Sequence, residues 1–264
     1  MNSNPYKDIT PEQVRKLIRE EKITGQTSGM CAGYAQANLC ILPKKYAYDF
    51  LLFCQRNQQS CPLLEVSDEG SRFLKTSASN CDIATDVPKY RVWKNGGLAG
   101  EYSDVSSFWR DDLVTFVIGC SFSFEAPLIE AGIDVRNISE NHNVPMYLTN
   151  IDTNPAGIFS GKMVVSMRPI HYSQIVKATT ITARVPKVHG APIHIGSPEL
   201  IGIKDIAKPD FGEASTIKEG EVPVFWCCGV TPQSVVMNSK PDFCITHAPG
   251  HMLITDIPET FLQN

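Results

Sequence analysis

No apolar run in this 264-residue chain approaches the ~20 residues that a membrane-spanning helix needs. The longest apolar runs, such as Leu113-Val114-Thr115-Phe116-Val117-Ile118, fall far short. A surplus of positive charge is also missing. The 24 Lys and Arg stand against 28 Asp and Glu, for a formal net charge of -4, which disfavours a phosphate backbone as the main partner. No membrane and no nucleic-acid partner is therefore expected. The N-terminal segment carries charges throughout and lacks a hydrophobic signal core, so export is not expected. No CxxC pair occurs, which argues against a structural zinc site, and no metal is expected. There is no Walker sequence, no GxSxG elbow and no kinase set, and Gly157-Ile158-Phe159-Ser160-Gly161 is not a dinucleotide fingerprint. A nucleotide is thus unsupported, and no organic cofactor is expected. Fixed-period repeats, low-complexity tracts and flexible linkers are absent.

What the sequence does contain points to a globular protein. Hydrophobic residues make up 42% and charged residues 20%, which excludes wholesale disorder. The nine cysteines are odd in number and irregular in spacing. A reduced, cytoplasmic protein fits that usage best. The length suits one large α/β domain or two smaller ones.

Local signals outline the elements. Thr10, Pro11 and Gln13 form a capping box before the apolar stripe Val14, Leu17 and Ile18. Gln26–Pro43 reads as a stretch rich in Gly and small polar residues, and a second helix is predicted from Pro43 to about Gln58. Short strands are expected near Leu63–Val66 and Tyr90–Lys94, with a turn at Asn95-Gly96-Gly97. Leu113–Ile118 has the unbroken apolar character of a central parallel strand. Further strands are expected at Pro145–Leu148, Lys162–Met167 (stopped by Pro169), Val222–Cys227 and Phe243–Thr246. Helices are expected at Phe124–Ala131, at His171–Arg184 and from Thr231. Strands alternating with helices predict an α/β fold: a three-layer α/β/α unit with a mostly parallel sheet, plus a smaller α+β two-layer unit. Residues 1–59 and 113–264 would form the main unit, and 60–112 with part of 134–160 the smaller, inserted one.

Two strand–helix turns look alike and carry chemistry. One is Gly119-Cys120-Ser121-Phe122-Ser123, the other Cys227-Cys228-Gly229-Val230-Thr231. In an open α/β sheet, ligands bind outside the carboxyl ends of the strands. Free N–H groups at such turns attract a carboxylate or phosphate. Ser121, Ser123, Gly229 and Thr231 are therefore candidate substrate contacts, with Thr231 placed to cap its helix. Equally, both could be only tight turns with capping hydroxyls. Cys120 and Cys228 are candidate nucleophiles or proton carriers, because a helix N-terminus lowers thiol pKa; the alternative is a small, buried turn residue. His189, His194 and His247 are candidate bases or substrate contacts, against the alternative of structural hydrogen bonding in Gly/Pro loops. His247 and His251 stand four apart, but Pro249-Gly250 between them argues against a zinc-binding helix. Arg168 or Arg184 could hold a carboxylate in a bidentate pair. Glu125 falls where a carboxylate answers a helix dipole. These residues point to a small anionic substrate.

Several stretches together resemble the D-glutamate cyclase family. They are Gly33-Tyr34-Ala35-Gln36-Ala37-Asn38 with Pro43, Val117–Glu125, Asn150–Asn154, Met163–Pro169, Ala183-Arg184 through His189–His194, Pro223–Gln233 and Thr246–Met252. The resemblance implies a two-part α/β fold. It also implies a hydro-lyase that converts D-glutamate to 5-oxo-D-proline and water without an organic cofactor. It brings no catalytic residues with it. A small-molecule carboxylate would be the partner, and a homo-oligomer fits the same reading. The rival readings are a non-catalytic carboxylate-binding or accessory protein, and a cofactor-free racemase or lactam hydrolase.

Overall fold

A computed structural model describes residues 4–263. Two antiparallel sheets carry the fold. The larger has seven strands: β1 (Tyr34–Pro43), β2 (Leu63–Val66), β3 (Tyr90–Lys94), β4 (Gly97–Tyr102), β5 (Leu113–Gly119), β10 (Phe243–His247) and β11 (Leu253–Pro258). Their order is β2-β5-β1-β10-β3-β4, with β11 also on β1. The smaller sheet runs β6-β7-β9-β8, from β6 (Met146–Asp152), β7 (Lys162–His171), β8 (His194–Ile195) and β9 (Glu221–Cys227).

The expectation of a mostly parallel sheet in a three-layer unit is corrected here. Every strand pairing in both sheets is antiparallel. The continuous apolar run of β5 arises because both faces of the sheet are covered. Leu113 and Val117 pack into one cluster with Ile83 and Tyr90; Val114, Phe116 and Ile118 pack into another with Phe50 and Phe53. Burial on both faces gives unbroken hydrophobicity whichever way the neighbours run.

The 26–43 stretch is a second correction. Much of it is β1, the central strand, buried from Ala35 to Pro43. Its small residues serve close packing. β5 pairs with it from Ala37 to Pro43 on one edge, while β10 and β11 share the other edge. Thr246 lies opposite Cys40 and Leu253 opposite Ala37. The chain has more residues between those points than β1 does, so 248–252 is extruded as a loop at the sheet edge. Segment 60–112 supplies β2, β3 and β4 to this same sheet.

Helices follow local signals closely. α1 (Pro11–Arg19) has the Thr10–Gln13 capping box, and α2 (Lys44–Arg56) lays Phe50, Phe53 and Cys54 on the sheet. A 3-10 turn at Ser121–Phe124 leads into α3 (Glu125–Glu130), and α4 (Arg136–Ser139) is a single turn. α5 is Ile175–Ala183. α6 is Thr231–Ser239, with Val230 rather than Thr231 as its cap. β7 runs through Pro169 to His171 because Pro169 lies past the end of the β6 pairing and opposite Pro223 of β9, where no N–H is required of it.

A buried interface joins the sheets. Ala35, Phe124 and Leu128 from the first side meet Ile170, Val224 and Trp226 from the second. Inside it, Arg168 Nη2 donates to Glu125 Oε1 at 2.6 Å, with side chains 1% and 2% exposed. Breaking one partner of a buried pair leaves an uncompensated charge. Glu125→Ala should therefore destabilise the fold by about 3–5 kcal/mol, read as a lower urea midpoint. The double replacement Arg168→Met with Glu125→Leu should lose much less. Equal losses would show that the pair contributes nothing beyond packing.

Candidate active site

The two turns belong to different sheets, not to one sheet as the sequence suggested, yet they meet. Cys120 follows β5 and Cys228 follows β9, and both pack in one cluster with Phe122, Val144, Met146, Val164, Val230 and Met252. Their local geometry matches. Phe122 N–H donates to Cys120 Sγ at 3.5 Å, and Val230 N–H donates to Cys228 Sγ at 3.5 Å. Cys120 thus caps its 3-10 turn as a hydroxyl would, and Cys228 accepts in the same manner two residues ahead of the α6 cap Val230. Among the described residues, the amides of Ser121 and Gly229 donate to no acceptor.

Asn38 is hydrogen-bonded to the first turn and packed against Gly229 of the second. Its Nδ2 donates to the carbonyls of Gly119 at 2.9 Å and Ile118 at 3.3 Å. A Cβ at Gly229 would overlap the Asn38 amide, and a Cβ at Gly119 would overlap the carbonyl of Lys187. Both glycines are therefore present for close approach. Gln36 clasps the first turn: Cys120 N–H donates to its carbonyl, and its own N–H donates to Ser123 Oγ at 2.9 Å. Thr231 fixes the second turn by exchanging hydrogen bonds with Val164. Asn38 and Gln36 were not picked out as site residues from sequence. The only available signal was two amide side chains in an otherwise apolar run.

Burial decides the electrostatics. It pushes the Cys228 thiol up to about 11 and the Cys120 thiol higher still. Arg168 favours the thiolate in both, but more weakly than burial opposes it. Both thiols are accordingly protonated near neutral pH. Arg168 is enclosed by Glu125, Ser121 and Ser166, and its guanidinium stacks near Phe124 and Trp226. Glu125 also accepts from Ser28 and Asn137. Arg168 thus already holds a carboxylate of the protein. Arg184 is exposed at the end of α5 and apart from the turns.

Each of the three histidines singled out from sequence has a ring nitrogen in a structural hydrogen bond, although the Nε2 of His189 is buried without a partner. His247 fills the gap where β10 leaves β1: Leu39 N–H donates to its Nδ1 at 3.1 Å, and Gln233 Nε2 lies 3.3 Å from its Nε2. His189 has φ 83° and no exposed surface, and its Nδ1 meets the Gln59 carbonyl at 2.8 Å. His194 is on the edge strand β8, with Nε2 against the Ser197 carbonyl at 2.9 Å. Burial lowers His189 to about 4 and His247 to about 3.

A cleft of about 380 Å³ adjoins the thiol cluster, sharing Phe211 with it. Among the described residues, no three His, Cys, Asp or Glu side chains converge as metal ligands. No helix among them is long and apolar enough to cross a membrane.

Fold and site define a class: an antiparallel two-sheet α/β protein in which thiol-capped turns from different sheets meet beside a polar cleft. The chain belongs to the D-glutamate cyclase family, whose profile matches residues 114–256. A relative from Clostridium beijerinckii is 68% identical over 251 residues, covering 95% of this chain and 96% of that one. One from Bacillus licheniformis is 60% identical, covering 95% of each. One from Bacillus subtilis is 59% identical, covering 96% of this chain and 99% of that one. All three carry provisional hydro-lyase names. Among solved structures, a nitrogen repressor-like protein from Methanococcus jannaschii aligns over 92% of this chain and 97% of its own, at 11% identity and a TM-score of 0.38, too low to inform the fold.

Two outcomes follow from this geometry. Gly229→Ala should push Asn38 off Gly119 and destabilise the protein by about 1–3 kcal/mol, whereas Ser234→Ala on the next helix should be nearly silent; thermal melts compare them. The second outcome is a pH dependence. His189 and His247 are lowered on folding from 6.5 to about 4 and about 3, so the unfolded chain binds more protons between those values. Stability should be complete above pH 6.5 and fall as pH drops towards 4. His247→Gln, which keeps an acceptor for Leu39, should flatten that slope by up to ~1.4 kcal/mol per pH unit. An unchanged slope in urea titrations at pH 4 to 6.5 would refute the assignment.

Proposed function

We propose that the chain is a hydro-lyase acting on a small amino acid, and that its reaction is the cyclisation of D-glutamate to 5-oxo-D-proline with loss of water. The observation that carries this reading is the meeting of the two thiol-capped turns, with the amides of Ser121 and Gly229 free, beside a cleft. Lactam formation needs few groups. The substrate amine attacks its own γ-carboxyl carbon, so the nucleophile is already tethered. The tetrahedral intermediate carries an oxyanion, for which unpaired backbone N–H groups are suitable donors. Departing hydroxide also needs a proton from a general acid.

Covalent catalysis is not required, and thiols raised by burial are poor nucleophiles. The same argument weakens the racemase reading, in which a thiolate must take a proton from carbon. Membership of the D-glutamate cyclase family supports the substrate.

Purified protein incubated with D-glutamate, and separately with L-glutamate, should yield 5-oxoproline from the D-isomer, followed by chiral mass spectrometry. Loss of chirality without ring formation would favour a racemase, and tight binding without conversion a binding protein. Cys228→Ala should fold normally and keep activity within about tenfold, ~1.4 kcal/mol of barrier, while Gly229→Val should be far worse. More than a thousandfold loss in Cys228→Ala would instead make the thiol essential.

A further inference from the structure

Lactam formation also needs a base for the amine, which the protonated thiols and those three histidines, none of which lines the cleft, do not supply. The cleft does. It opens where loop 248–252 leaves the sheet edge, and Lys89, Arg91, Asn143, Asp210 and His251 are among the residues that line it. At about 380 Å³ it lies at the lower end of the roughly 300–1,000 Å³ range of small-molecule sites.

Each of these residues has capacity to spare. Lys89 and Arg91 share one carboxylate, Glu101, with Arg91 Nε at 2.8 Å and Lys89 Nζ at 3.9 Å. One positive charge is left over for an anion. Asn143 Oδ1 is buried without a partner, while its Nδ2 donates to the Pro249 carbonyl at 3.4 Å. The Asp210 carboxylate caps Leu148 N–H at 2.7 Å, which leaves lone pairs free. His251 is the most informative. Its Nδ1 lies 3.0 Å from the Pro249 carbonyl. A carbonyl only accepts, so Nδ1 carries the hydrogen and Nε2 carries the lone pair. Among the described residues Nε2 has no partner. Gly250 allows this arrangement: it has φ 82°, and a Cβ there would press on the Asn143 amide.

We propose that this cleft binds an α-amino dicarboxylate, with Lys89 and Arg91 holding a carboxylate, Asn143 Oδ1 and Asp210 receiving the ammonium group, and His251 Nε2 acting as the base. The catalytic half rests on the lactam reading above; the binding half does not.

The ring is poised for the task. Burial lowers its proton affinity, so it is neutral near pH 7. The Pro249 carbonyl and Glu101 from β4 raise it, and Lys89, just ahead of β3, and Arg91 on β3 lower it further; Asp210 faces the same cleft, and His247 ends β10 ahead of the loop. In the reaction, Nε2 takes a proton from the ammonium group and the nitrogen lone pair forms the C–N bond. The γ-C–O bond then breaks and its electron pair leaves on oxygen. Two protons leave nitrogen and two reach the departing oxygen as water, so no net proton is exchanged.

Calorimetry with D-glutamate, and with glutarate as a dicarboxylate lacking the amine, tests the binding half. Both should bind, and Lys89→Gln and Arg91→Gln should each weaken binding about tenfold or more. Glutarate should raise the pH at which the His251 ring resonance titrates, a readout that needs no turnover. His251→Gln should keep D-glutamate affinity within a factor of about three. It should lose about a hundredfold or more in kcat, together with the acidic limb of the pH–rate profile. If the wild type makes no 5-oxoproline yet the charge variants weaken glutarate binding and the ring resonance shifts, the lactam reading fails and the cleft assignment stands. Glutarate binding untouched by both charge substitutions, or no binding, overturns the site. Wild-type turnover and pH profile in His251→Gln overturn the base.

Discussion

The ion pair between Arg168 and Glu125 is the constraint on which the site depends. Arg168 stands on β7 of the smaller sheet, and Glu125 opens α3 just beyond β5 of the larger one. Neither charge reaches water. Each is therefore tolerable only while the other is in place. Ser121 and Ser166 contribute oxygens to the same guanidinium, which sits near the faces of Phe124 and Trp226. This clasp sets one sheet against the other, and with it the Cys120 turn against the Cys228 turn. Asn38 then closes the remaining gap at Gly119 and Gly229, with no room for an extra methyl group.

Burial assigns different work to residues of one type. The thiols at both turns stay protonated because water is excluded around them, and Arg168 is too far committed to Glu125 to reverse that. His247 and His189 are neutral for the same reason, and their ring nitrogens satisfy backbone groups that the sheet pattern leaves over. An unpaired buried N–H costs about as much as a lost hydrogen bond, so these histidines are structural by necessity. His251 differs because the extruded loop holds it at the rim of a cleft. There one ring nitrogen is anchored and the other is free at the cleft, whereas the unpartnered Nε2 of His189 is sealed in the core.

The sequence was most legible where the signal is local. The capping box at Thr10, the apolar faces of α1 and α2, the turn at Asn95-Gly96-Gly97 and the burial of β5, β9 and β10 all depend on neighbours within a few residues. The two turns were visible as units for the same reason. β1 escaped notice because Ala35, Gln36, Ala37 and Asn38 have weak strand propensity, and packing from both faces overrode it. β11 was missed because it adds to an edge of β1 that β10 had only partly used.

By itself, then, the chain determined its elements, its two chemically similar turns and the class of group a ligand there would need. Strand direction it could not determine, because an apolar run records that both faces are covered and says nothing about which way its neighbours point. Nor could it show that Arg168 would spend its charge on Glu125, that His247 would be consumed by Leu39, or that His251 would keep a free nitrogen. The first two outcomes were decided by contacts between residues 43 and 208 positions apart in the chain. Such contacts exist only once two sheets have packed and water has left the space between them.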